Sequence, residues 1–300
     1  MAFETTKQHQ IFENHGKYIV KSDLVATCMG SNLQTQYNEE YVFQGFGYCK
    51  DVGYALLSFL AFKALDIERV PFCYERILHG PMNFHRRSVY EEHLSKLDSE
   101  TMPVVLQEVI AIYEHTQRSL SSMGLDKVSI IRNIEVDFTA RDVNARKYTL
   151  GFYNYVRAHK VLGLPSVPID MDSLNSFTDS NQEYSGQGDI ALRMMVNARD
   201  VFYCSALVDS HYADTDFIEP NEWVVINRSP TGVVSIPTDD IEIRENRFSW
   251  VGALSEVEAQ DIIDTYSPYR VRDLQLKKSE VPDPEVKYNW KARLALWLLK

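Results

Sequence analysis

Lys127-Val128-Ser129-Ile130-Ile131-Arg132-Asn133-Ile134 is the stretch at which the chain changes character. Side chains alternate between the faces of a β-strand, so Val128, Ile130, Arg132 and Ile134 share one side. Three of these are apolar and the fourth is an arginine. A cation in register with an apolar face needs a partner, because burying an unpaired charge is costly. Two readings follow. One is an internal ion pair. The other is an anion clamp, since a guanidinium grips phosphate through parallel N–H bonds.

Downstream of this strand the sequence reads as short β-segments: 189–196, 201–206, 222–227 and 232–236. Turn signals separate them at Pro165 to Pro168, Ser185 to Gly188, Asn197 to Asp200 and Ser229 to Gly232. The spacings are too short for repeated parallel crossovers, so the expectation is an α+β domain with a mostly antiparallel sheet. Upstream the chain reads as helical. Tyr54 to Leu65 is apolar nearly all round. After Pro103, Val104, Val105, Val109, Ile110, Ile112 and Leu120 keep helical spacing, and Gly124 is placed to cap that helix. The tail returns to helix at Glu256–Tyr266. Extended linker follows at 279–286, and then a stripe of Trp290, Leu294, Trp297 and Leu298. Such a stripe docks on its own domain, on a partner or on a membrane surface. The expected organisation is a helical region of unassigned role over 1–103, a core over 104–245 and a helical tail over 246–300.

Bulk properties narrow the class. The chain has 300 residues, 45% hydrophobic and 24% charged, enough for a substantial core. A formal charge of −11 argues against tight non-specific binding to nucleic acid, without excluding a nucleic-acid substrate. Basic clusters at Arg141, Arg146, Lys147 and at His85-Arg86-Arg87 read as solvated loops. No apolar run is long enough to span a membrane. The four cysteines have no pairing rhythm and the N-terminus lacks a secretory pattern, so a cytoplasmic location is expected, in the producing cell or in a target cell. Gly186-Gln187-Gly188-Asp189-Ile190-Ala191 matches a loose dinucleotide fingerprint, but the glycines precede a strand instead of opening a helix. The eight histidines lack zinc-helix spacing, and no metal is expected.

Two further segments complete a pattern. Glu222, Val224 and Ile226 share a strand face, which aims a carboxylate with the apolar side. Before it lies Leu174-Asn175-Ser176-Phe177-Thr178-Asp179, a hydroxyl–aromatic–hydroxyl triplet. Taken in order, Arg132, Ser176-Phe177-Thr178 and Glu222 resemble the arginine–serine–glutamate class of mono-ADP-ribosyltransferases, which includes bacterial toxins and phage-encoded enzymes. The likeness runs over about residues 104–245. Thr116-Gln117 through Arg132 looks like the family's helix, turn and first strand. Asp189 to Ala206 looks like the strand pair that leads to the glutamate strand.

The resemblance implies a split-sheet transferase core that uses NAD as substrate. It gives Arg132 to the phosphate and ribose side of NAD. It gives Ser176 and Thr178 the task of bracing the pocket and holding the glutamate by hydrogen bonds. Phe177 is expected near the nicotinamide, and Glu222 on the ribose 2′-hydroxyl. The implied partners are NAD, a macromolecular acceptor and, for a toxin, an inhibitor or antitoxin, with the tail helix as one docking place. Two positions depart from the pattern. Asn133 replaces the usual glycine after the arginine. Pro220 stands where many members carry an acceptor-activating Glu or Gln, leaving Glu219 as the acceptor-side candidate. The acceptor is therefore open between a protein side chain, a nucleic-acid base and water. The alternatives are an NAD glycohydrolase and a non-catalytic interaction module on a transferase scaffold.

Overall fold

The computed structural model describes residues 16–29, 52–67, 84–134, 143–171, 173–179, 189–209, 222–243 and 253–266. In chain order these form β1 (Tyr18–Ile19), α1 (Asp23–Met29), α2 (Val52–Ala64), α3 (Phe84–Ser95), α4 (Thr101–Ser122), β2 (Lys127–Ile134) and α5 (Val143–Val161). Then come β3 (Ser166–Asp170), β4 (Leu174–Asp179), β5 (Ile190–Asn197), β6 (Val201–Cys204), β7 (Val208–Asp209), β8 (Glu222–Ile226), β9 (Val233–Pro237), β10 (Ile241–Ile243) and α6 (Glu256–Tyr266). The chain is an α+β protein.

The centre is a six-stranded sheet in the order β10-β5-β2-β4-β8-β6, with every neighbouring pair antiparallel. β2 pairs with β5 along its whole length, from Lys127 opposite Asn197 to Ile134 opposite Ile190. Val128, Ile130, Phe177, Leu192 and Trp223 are buried in the core. Two smaller pairs flank the sheet: β3 with β9, antiparallel, and β1 with β7, parallel.

α4 leads the chain into β2. Its buried residues Val105, Val109, Ile112, Thr116 and Leu120 recur at helical spacing, giving one face to the core. Asp98 starts the helix by accepting from the N–H groups of Glu100 and Thr101. Gly124, at φ +66°, ends it, and Leu125 N–H returns to the carbonyl of Leu120. That is the left-handed stop a glycine makes cheaply. Gln117 Nε2 donates to the carbonyls of Ala198 and Val201, and Tyr113 Oη to that of Arg199. These bonds clamp α4 to the 3₁₀ turn that feeds β6.

Three expectations change. Residues 143–161 form a 19-residue helix, not part of a strand-dominated stretch. Arg146 and Lys147 therefore lie on α5, and His85-Arg86-Arg87 on α3, instead of in loops. Pro165 to Pro168 is not simply a turn: Pro168 sits within β3, opposite Ser235. A two-stranded pair leaves one edge of each strand open, so a residue without an N–H is tolerated there. α6 packs against α5, joining the first helix of the expected tail to the core. Ser185 to Gly188, the linker at 279–286 and the Trp290–Leu298 stripe lie outside the described residues. Among those described, no helix is long and apolar enough to cross a membrane.

Candidate active site

β4 lies between β2 and β8, so the three strands that carry the sequence pattern are direct neighbours. Register decides which side chains meet. Thr178 is level with Glu222 and Ser176 with Val224. Opposed residues of an antiparallel pair share a face, so Leu174, Ser176 and Thr178 stand with Glu222, Val224 and Ile226.

On that face Ser176 Oγ donates a hydrogen bond to Glu222 Oε1. A hydroxyl bound to a carboxylate is among the stronger hydrogen bonds, and it fixes the rotamer of the acid. Ser176 is buried, while Glu222 is only partly so. A carboxylate has about four lone-pair sites, so one donated bond leaves it capacity for a ligand hydroxyl. Thr178 does something else. Its Oγ1 donates to the carbonyl of Ile131 at 3.2 Å and ties β4 to β2. Of the two hydroxyls expected on the glutamate, Ser176 is the one that holds it.

Arg132 and Phe177 fall on the reverse face. Ile131 is level with Thr178, which gives Ile131 the glutamate's side and Arg132 the other. Arg132 is level with Leu192 of β5 and 7% exposed, a buried guanidinium near the end of its strand. Phe177 is level with Trp223, 2% exposed and packed in the core. Glu219 and Pro220 lie outside the described residues.

One residue with no signal in the sequence borders the site. Ser205, just after β6, exchanges two hydrogen bonds with the backbone of Glu222. Among the described residues no group of three or more His, Cys, Asp or Glu side chains is placed to hold a metal ion.

No protein-family model matches this chain, nor does any curated protein or solved structure.

Proposed function

We propose that the chain is an NAD-dependent mono-ADP-ribosyltransferase that modifies an intracellular macromolecule, as a toxin, effector or phage-defence component. The observation that carries this reading is the Ser176–Glu222 hydrogen bond. It joins, across neighbouring strands, the hydroxyl and the carboxylate that the resemblance pairs.

The chemistry asks little more of the protein than a well-placed anion. The bond between nicotinamide and ribose C1′ breaks, and its electron pair leaves with the nicotinamide. Positive charge builds on C1′ and the ring oxygen. Glu222 accepts a hydrogen bond from the ribose 2′-hydroxyl and faces that charge, and a carboxylate held in advance does so without reorganising. The acceptor then bonds C1′ and gives up a proton. Arg132, buried on the opposite face of the sheet, is not assigned to the pyrophosphate in this reading.

Incubation with labelled NAD and cell lysate tests the reading. Label should enter a macromolecule with wild type and not with Glu222→Gln. No labelled product, with the two proteins indistinguishable, overturns it. Pro220 favours a second reading, an NAD glycohydrolase, because proline offers no polar group to activate an acceptor. Nicotinamide release at a rate unchanged by adding lysate would identify it.

A further inference from the structure

Resting on the transferase reading, we propose that Ser205 is a positioning residue for Glu222, holding its backbone while Ser176 holds its carboxylate. The pairing of β6 with β8 contains an irregularity. Val201 is level with Val225, but Tyr203 is level with Val224 and Cys204 with Trp223. One extra residue in β6 advances the register by one step, as a β-bulge does. Ser205 thereby comes level with Glu222. Without that step Cys204 would oppose Glu222, and a thiol is a poor acceptor.

Opposed residues in a hydrogen-bonded antiparallel pair exchange two backbone bonds. Here one is made in the usual way: Ser205 N–H donates to the Glu222 carbonyl at 2.9 Å. The other is replaced. Glu222 N–H donates to Ser205 Oγ, also at 2.9 Å, so a side chain finishes the ladder after β6 has ended at Cys204. Glu222 is the first residue of β8, where a strand frays most readily. Ser205 closes that end from the β6 side and Ser176 fixes the carboxylate from the β4 side. A catalytic group needs placement within about 0.5 Å, and here separate contacts hold its backbone and its carboxylate.

The test measures nicotinamide release from NAD in the presence of cell lysate as the source of acceptor, by wild type, Ser205→Ala and Ser205→Thr, with kcat, KM and thermal midpoint for each. Ser205→Ala should lower kcat about tenfold, the worth of one hydrogen bond, with KM within about twofold. Ser205→Thr keeps the acceptor oxygen and should restore kcat to within about threefold. Wild-type kcat in Ser205→Ala overturns the proposal. So do equal losses in both variants, or a loss accounted for by unfolded protein. If wild type releases no nicotinamide, it is the transferase reading that fails, and hydrogen exchange at the Glu222 amide decides the positioning separately. Faster exchange in Ser205→Ala, reversed in Ser205→Thr, supports it; equal exchange in all three overturns it.

Discussion

Glu222 and the two hydroxyls of β4, Ser176 and Thr178, take different tasks, and substitutions separate them. If the proposed transferase reading holds, Glu222→Gln removes the anion that meets developing positive charge and should cost on the order of 10²-fold in kcat, read by nicotinamide release. Ser176→Ala removes the hydroxyl that donates to the carboxylate. It should lower kcat roughly ten- to a hundredfold with little change in the urea midpoint. Thr178→Val, nearly isosteric, loses only the bond to the Ile131 carbonyl. It should cost about 1 kcal/mol of stability and leave kcat within about threefold. Equal kinetic losses in the two hydroxyl variants would mean that Thr178 also serves the acid. Arg132 is buried on the reverse face, so Arg132→Ala should lower stability by about 2 kcal/mol or more in urea unfolding. An unchanged midpoint with weakened NAD binding would place the guanidinium in the site instead. The residue types were legible in the sequence; their faces were not. Alternation sorts side chains within one strand, and only the pairing register relates the faces of two strands. That is why Arg132 and Glu222 each stood on an apolar face of its own strand, yet those faces lie on opposite sides of the sheet.

Strands were easier to read than helices between Lys127 and Ile243. β2, β5, β6, β8 and β9 are rich in β-branched, aromatic and other apolar residues, and each lies within about two residues of its expected position. α5 escaped because its sequence resembles neither template. Thr149, Gly151 and Asn154 are poor helix formers. Among its described side chains the buried ones are Phe152, Tyr153, Tyr155, Val156, Ala158 and His159, without the usual aliphatic stripe. The bulge in β6 had no local marker at all, so Ser205 was invisible. α4, by contrast, was legible to its last turn. Gly124 holds φ +66° and a Cβ there would meet nothing within 4 Å, so the cost of a side chain is backbone strain alone. Gly124→Ala should therefore lower stability by about 1 kcal/mol without disturbing packing, as measured by urea unfolding and an unchanged circular dichroism spectrum.

The molecule as a whole should also respond to pH through His159. Burial holds this imidazole below its ordinary value, and the bond from its Nδ1 to the Tyr155 carbonyl only partly offsets that. The unfolded chain takes up the proton near pH 6.5 and the folded chain resists it. Stability is thus fully present above about pH 6.5 and is lost as pH falls from there towards the folded-state value. His159→Gln should flatten the difference in urea midpoint between pH 7.5 and pH 5.5; identical slopes in both proteins would refute the assignment. The strand order has a further consequence, which lies in time. β8 slots between β4 and β6, although both precede it in the chain. A nascent polypeptide can lay β2, β5 and β4 together as it leaves the ribosome, but it has no Glu222 to place until those strands have been made. Non-local insertion of this kind is slow, and until it happens β4 and β6 each present an unpaired edge. A cell making this protein therefore passes through an interval in which the chain lacks the Ser176–Glu222 pair and is vulnerable to aggregation. The interval closes when one five-residue strand arrives.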